Sequence, residues 1–212
     1  MRNSKIKAIF GAFILIALFA CSLLVRAEIG SGWYEDVAIA VHGPTKTITG
    51  YYESESGDQI FPSASCAFYF VGKIVDEHAT IQFYVPFDDG VEGETAGELR
   101  SLADGESITI KSQSGLSGCF RYEDFSMENP VPKSKAESQD WIAIGLVVSA
   151  NAFIYRDVGL TEKIVINVES GDVVFVRELG GDGYKVTYID PEGRKVDGWM
   201  SKADFLPLSL GK

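Results

Sequence analysis

Residues 66–75, CAFYFVGKIV, and residues 79–85, ATIQFYV, are two apolar runs separated by a short polar segment. Aromatic and β-branched side chains dominate both runs, and these residue types fit the pleated, half-buried surface of a β-strand. In the second run the alternation places Ile81, Phe83 and Val85 on one face. Two strands at this spacing predict a hairpin, and the hairpin indicates an all-β protein.

Similar runs occur on both sides of this hairpin, and turn-forming residues separate them. Further strands are predicted at 36–41, 45–52, 106–111 and 118–125. Residues 98–103 indicate a short helix or a turn. We therefore expect an N-terminal antiparallel barrel or sandwich over residues 28–125.

Residues 126–141 have a different composition. Pro130 and Pro132 are followed by several charged residues with little apolar periodicity. This composition predicts a linker, with at most one helical turn, between two domains. The second domain then occupies residues 142–212.

The three cysteines favour an exported protein. Cys21 lies in the N-terminal segment, which leaves Cys66 and Cys119 in the remainder of the chain. Two cysteines in an oxidising compartment predict one disulfide, which would join an early strand to a late one. The alternative is two separate buried thiols.

The first 27 residues have the pattern of an export signal. Basic side chains precede an apolar run over residues 8–25, and the pattern predicts cleavage after Ala27. The protein would then be periplasmic or secreted. Two alternatives stay open: the long apolar run also fits a retained membrane anchor, and Leu18–Cys21 resembles a lipobox with Cys21 as the lipidated residue. Only these alternatives place the protein on a membrane.

Charge excludes some partners. The export segment holds four of the nineteen basic residues and none of the thirty acidic ones, so the mature chain carries a net charge of −15. Such a surface repels nucleic acid, anionic lipid and anionic wall polymers. It favours a basic protein, a cation or a neutral ligand, or it serves solubility alone.

A second set of short strands follows residue 141. The candidates are 144–148, 152–155, 164–168, 172–179, 184–189 and 198–200. Glycine-containing turns separate the later ones. Five or six short strands in this order predict a small five-stranded barrel.

Ordered motifs run through the same region. An Asn and Arg segment at 151–157 precedes a hydrophobic strand with a Gly turn at 164–172. An aromatic-Lys-Val strand at 184–186 and the signature Gly198-Trp199-Met200 follow. This set resembles the bacterial SH3 domain, often called SH3b, over about residues 142–206. The resemblance implies an SH3-like barrel that acts as a binding module.

The resemblance also implies a ligand groove lined by Tyr155, Tyr184 and Trp199, whose rings would bury parts of a cell-wall peptide or a protein. Two departures from the family pattern flank this groove. The family's Gly-Pro is missing after Arg156, and residues 190–196 lengthen the loop before Trp199. The alternative is that Tyr184 and Trp199 are core residues.

Nothing in the chain predicts catalysis. The two histidines are His42 and His78, and pairing His78 with Cys66 as a peptidase dyad conflicts with the predicted disulfide. Two scattered histidines do not predict a zinc site. We expect no enzyme activity, no cofactor and no metal site.

The densest acidic run contains Asp88, Asp89, Glu92 and Glu94. It lacks the spacing of an EF-hand calcium loop. As a hairpin tip, it is either a solvated turn or a contact surface for a basic protein.

These features lead to two functional hypotheses. The first is an exported envelope protein that uses its SH3-like domain to bind a cell-wall or protein ligand. The alternative is a periplasmic inhibitor or immunity-type protein that neutralises a basic wall-degrading enzyme or toxin, with the acidic run as its contact surface.

Overall fold

The computed structural model describes residues 29–56, 64–87, 90–116, 119, 124–126, 128, 130–206 and 208. The fold is all-β, with an antiparallel barrel followed by a second antiparallel sheet. No helix in the described ranges is long and apolar enough to span a lipid bilayer. The N-terminal segment with the predicted export signal, including Cys21, lies outside the described residues.

Eight strands form the barrel. They are β1 (Gly32–Tyr34), β2 (Val37–His42), β3 (Thr47–Ser56), β4 (Ala64–Val75), β5 (His78–Phe87), β6 (Gly90–Ser101), β7 (Ser107–Ser112) and β8 (Lys133–Ser138). A 3₁₀ helix, Gly43–Thr45, connects β2 to β3. Each strand pairs antiparallel with the next, and β8 returns to pair with β1, which closes the barrel. Closure gives every strand of the barrel a partner strand on both sides over at least part of its length.

Alternation along the strands fills the barrel. The inward residues of β5, Ile81, Phe83 and Val85, join one buried cluster, as the sequence predicted. Aromatic rings form its centre, where Phe68 stacks on Tyr52 at 4.9 Å between ring centroids. Burying several aromatic side chains in this way is a main source of core stability.

The predicted disulfide is present. Cys66 of β4 is bonded to Cys119, which follows β7, and the two Cα atoms lie 4.8 Å apart. Both residues are buried in the barrel core. The alternative of two separate thiols is therefore wrong. Because the bond closes a loop with a sequence separation of 53, it restricts the unfolded chain and contributes about 4 kcal/mol on the chain-entropy model.

The predicted linker over 126–141 is corrected in part, because residues 133–138 form β8. This strand is polar, and its first residue, Lys133, is the one that is buried. The ammonium of Lys133 forms an ion pair with Asp36 at 3.0 Å. Strand β8 contributes mainly backbone hydrogen bonds and buries little apolar surface. Its sequence therefore lacks the apolar alternation of the other strands, and for that reason the composition of residues 126–141 indicated a linker. The predicted helix or turn over 98–103 is also corrected in part, because residues 98–101 continue β6 and the turn begins only at Ala103.

Six strands form the second sheet. They are β9 (Ala143–Leu146), β10 (Ala152–Tyr155), β11 (Lys163–Val168), β12 (Val173–Leu179), β13 (Gly183–Ile189) and β14 (Lys195–Ser201). Their order is β11-β10-β14-β13-β12-β9, and all neighbours are antiparallel. A 3₁₀ helix, Lys202–Asp204, follows β14. Each predicted strand has its counterpart, and the sheet has one strand more than the predicted five-stranded barrel.

The two units pack against each other through a third apolar cluster. It contains the outward residues Ala38 and Ala40 of β2, together with Ile144, Leu146 and Phe175 of the sheet. These strands are apolar on both faces because one face fills the core of its own unit and the other faces the neighbouring unit. The barrel and the sheet therefore share an apolar interface.

Hydrogen bonds across this interface satisfy the free edge of β9. The amide of Ile144 donates to Thr49 Oγ1 at 2.6 Å, and the Tyr69 hydroxyl donates to the Ile144 carbonyl at 3.0 Å. Next along the edge, the amide of Leu206 donates to the Leu146 carbonyl at 2.9 Å. An edge strand with paired backbone groups cannot recruit another chain. The barrel and Leu206 together therefore supply hydrogen-bond partners along the outer edge of β9.

Candidate binding sites

Two residues of the predicted groove, Tyr155 and Trp199, lie side by side. They are directly opposed across the β10–β14 pair, and both side chains are half-buried on the outer face of the sheet. Phe153 lies two residues before Tyr155 and is half-buried on the same face. The ammonium of Lys163 covers the Phe153 ring at 3.4 Å. Three aromatic side chains therefore form a strip, which we call the Trp199 surface.

Tyr184 does not belong to this strip, which corrects the predicted groove. It is opposed to Met200 on β14, and since Met200 faces the core, Tyr184 does too. Tyr184 is 8% exposed and packs against Phe205 at 5.6 Å between ring centroids. Burial raises the pKa of its hydroxyl, as expected for a core tyrosine.

A hydrogen-bonded loop borders the Trp199 surface. The carboxylate of Asp157 accepts bonds from the amides of Thr161 and Glu162, and the Glu162 bond holds the pKa of Asp157 below its usual range. The loop presents Val158, which is 53% exposed. These bonds within residues 157–162 fix the position of an exposed apolar side chain.

A close backbone approach supports the Trp199 ring. A Cβ atom at Gly180 would lie 2.6 Å from the ring of Trp199 and 3.3 Å from Val158. Only a glycine leaves space for both side chains at this position. The indole is therefore held against the β12–β13 connection, with Val158 beside it.

Only the second half of the acidic run lies within the described residues. Asp88 and Asp89 lie outside the residues that the structure describes, between the end of β5 and the start of β6. Glu92 and Glu94 belong to the backbone of β6. The proposed contact surface for a basic protein stays a prediction.

The residues considered for catalysis and metal binding are dispersed. Cys66 is in the disulfide and supplies no thiol for a dyad with His78. His42 contacts Thr45, with 2.7 Å between Nδ1 and Oγ1. Among the described side chains, no three of the metal-ligating types are grouped together.

The structure contains a further site that was not predicted, a cleft between the barrel and the second sheet. It has a volume of about 660 Å³. On the barrel side it is lined by Trp33, Tyr51 and Glu53, and on the sheet side Phe175 and Tyr188 are among the lining residues. We call this site the interdomain cleft.

Aromatic rings form one wall of the interdomain cleft. Trp33 contacts Phe175 edge-on at 5.9 Å and Trp141 edge-on at 5.7 Å, while Trp141 stacks on Phe175 at 4.2 Å. Trp33 and Tyr51 are half-buried, so both retain exposed surface beside the cleft. Rings packed on one another in this way present a rigid wall to a ligand.

Carboxylates supply the polar part of the cleft. Tyr51 donates to Glu53 at 3.0 Å, and Tyr188 donates to Asp172 at 3.0 Å. Burial and the neighbouring Asp172 carboxylate raise the pKa of Tyr188 to about 12. Asp190 also lines the cleft, but it already forms an ion pair with Arg194 at 2.6 Å. The described lining contains acidic and aromatic side chains and no lysine or arginine.

A signal for this cleft was present in the sequence. Strand register places five residues in a row across the outer face of the barrel, from β1 to β5. These are Trp33, Ala38, Tyr51, Tyr69 and Tyr84. An outer face lined by aromatic residues and alanine indicates a covered surface, and the second sheet covers its centre at Tyr69.

Comparison with family models, curated proteins and solved structures finds no match for this chain. The resemblance to bacterial SH3 domains therefore stays a prediction from the ordered motifs of residues 142–206.

Proposed function

We propose that this protein is a non-catalytic, exported envelope protein that binds a cell-wall peptide or an envelope protein on its Trp199 surface. The observation that carries the proposal is the juxtaposition of Tyr155 and Trp199 on an outer face, beside a loop held by Asp157. Flat rings on a rigid support bury the apolar parts of a ligand at a low cost in conformational entropy.

Two further observations support export and binding. The buried bond between Cys66 and Cys119 is of the kind that persists in oxidising compartments, in agreement with the predicted export signal. The disulfide also occupies Cys66, so this cysteine cannot supply the thiolate that a peptidase dyad with His78 would need. The ordered motifs that resemble bacterial SH3 domains favour the same function, because those domains act as binding modules.

A sedimentation assay with purified, insoluble peptidoglycan tests the proposal. We expect the protein to sediment with peptidoglycan, and Trp199→Ala to weaken this binding about 30-fold, since truncating a central aromatic anchor costs about 2 kcal/mol. Val75→Ala is the control, because Val75 is 57% exposed on the barrel and its truncation also removes exposed apolar surface.

Thermal unfolding of each variant shows whether the fold is intact. Sedimentation of folded Trp199→Ala with wild-type affinity would exclude the Trp199 surface. If the wild-type protein stays in the supernatant and captures no envelope protein from an extract, the binding function itself is wrong.

A basic partner protein is the second candidate, because the predicted mature chain has a net charge of −15. An inhibitor of a basic enzyme or toxin would ignore peptidoglycan and capture one basic protein at low salt. Binding that persists undiminished at high salt would argue against this candidate, because salt screens attraction between exposed charges.

A further inference from the structure

We propose that the interdomain cleft is a second binding site, which takes the lysine or arginine side chain of a basic peptide. This site lies between Trp33 and Tyr51 of the barrel and Asp172 and Phe175 of the second sheet. It uses none of the residues of the Trp199 surface, so the inference does not depend on the proposed function.

The aromatic wall provides the first reason. A cation within about 6 Å of a ring centroid is attracted by the negative face of the ring, and the attraction grows when water is excluded. Trp33 and Tyr51 border the cleft and remain half-exposed. The same rings also pack well against the long methylene stem of lysine or arginine.

The carboxylates provide the second reason. Asp190 is compensated by Arg194, whereas Glu53 and Asp172 form no salt bridge within the described part of the chain. A tyrosine hydroxyl donates to each of these two carboxylates and orients it. With no basic side chain in the described lining, the cleft has a negative charge that a cationic group would complement.

The size of the cleft and its chemistry select a peptide side chain over a metal ion. A volume of about 660 Å³ is in the range of pockets that bury a drug-sized ligand, so the cleft has room for a lysine or arginine side chain. Metal ions of the calcium and magnesium type need a shell of oxygen ligands, and here aromatic carbons occupy much of the wall. A long side chain with a charged end matches both parts of the lining.

Two peptides of matched length, one with a charged side chain and one without, test this inference by isothermal titration calorimetry on the full protein. The probes are acetyl-Ala-Lys-Ala-amide and its norleucine counterpart, which has a similar stem without the charge. We expect the lysine peptide to bind about tenfold more tightly, and added salt to reduce the difference. Equal affinity for the two peptides, or no binding of the lysine peptide at millimolar concentration, would overturn the proposal.

Two pairs of variants locate the binding. Glu53→Gln should weaken lysine-peptide binding about two- to fivefold, while Asp76→Asn, which removes the same charge from the exposed β4–β5 turn, should leave it unchanged. Tyr51→Leu should weaken binding, whereas Tyr51→Phe keeps the aromatic face and most of the affinity. Circular dichroism and thermal unfolding confirm that each variant is folded.

The Trp199→Ala variant separates this inference from the proposed function. We expect it to bind the lysine peptide normally while it loses binding at the Trp199 surface. Equal effects of Glu53→Gln and Asp76→Asn, or loss of lysine-peptide binding in folded Trp199→Ala, would place the cation elsewhere and contradict the assignment to the cleft.

Discussion

The Tyr69 hydroxyl joins the barrel to the second sheet, so removing it tests whether the two units depend on each other. Tyr69 is fully buried, and its hydroxyl donates to the Ile144 carbonyl at 3.0 Å. Burial and the nearby Tyr84 raise the pKa of this hydroxyl. The substitution Tyr69→Phe removes the donor and keeps the ring, so packing in the interface changes little.

The expected loss follows from the state of the Ile144 carbonyl. In Tyr69→Phe this carbonyl remains buried on the outer edge of β9 without its partner. A buried polar group left unpaired costs about 1–3 kcal/mol, which is more than the net value of an ordinary hydrogen bond. We therefore expect the free energy of unfolding to fall by about 1–3 kcal/mol. Tyr84→Phe is the matched control, because Tyr84 lies next to Tyr69 in the same row and is half-exposed.

Urea unfolding followed by both fluorescence and circular dichroism measures the change. The barrel and the sheet should unfold in one transition, and Tyr69→Phe should shift its midpoint without changing its slope. If the free energy of unfolding of Tyr69→Phe falls by an amount within about 0.5 kcal/mol of the fall in Tyr84→Phe, the bond from Tyr69 to Ile144 has no energetic role. Two separate transitions, with Tyr69→Phe affecting neither, would show that the interface does not couple the units.

Three further predictions concern the barrel core and the cleft. Replacing Cys66 and Cys119 together by alanine should lower the free energy of unfolding by about 4 kcal/mol in a urea titration, and a loss below 1 kcal/mol would contradict the chain-entropy account. Gly50→Ala would place a Cβ directly against the Phe70 ring, so we expect the free energy of unfolding to fall by about 1–3 kcal/mol, seen as a lower Tm, and an unchanged Tm would contradict this packing. Because the pKa of Tyr188 is raised to about 12, the folded protein retains a proton that the unfolded chain releases near pH 10. The free energy of unfolding should therefore fall between pH 10 and 12, and it should fall more steeply than in Tyr188→Phe. An equal pH dependence in the two proteins would argue against the raised pKa of Tyr188.

The strands were predictable where one face is apolar. The runs at residues 66–75 and 79–85 correspond to β4 and β5, because a period of two specifies both the strand and its inward face. The disulfide was also predictable, since one pair of cysteines remained outside the N-terminal segment. These features depend on local pattern and counting, which a single sequence contains.

Strand β8 was not predictable in the same way. Residues 133–138 are mostly exposed and charged, so nothing in their composition distinguishes them from a linker. Their position is determined by backbone pairing with β1 and β7 and by the ion pair of Lys133 with Asp36. Such contacts join residues far apart in the chain, and a local pattern does not show them.

The candidate sites were predictable in part. Tyr155 and Trp199 were predicted together and do lie together, while Tyr184 faces the core because register opposes it to Met200. The interdomain cleft depends on how two units pack, and alternation along a strand does not identify the partner of an outward face. The apolar residues on both faces of β2 were the available sign of that contact.

Hydrogen exchange with mass spectrometry, on the protein with and without soluble peptidoglycan fragments, tests the central claim most directly. We expect the fragments to protect backbone amides of the 156–162 loop and of β14 around Trp199, and to leave the barrel unchanged. Protection confined to residues 51–53 and 171–173 would place the ligand in the interdomain cleft. Protection in neither region would contradict the proposal that this protein binds the cell wall through its second sheet.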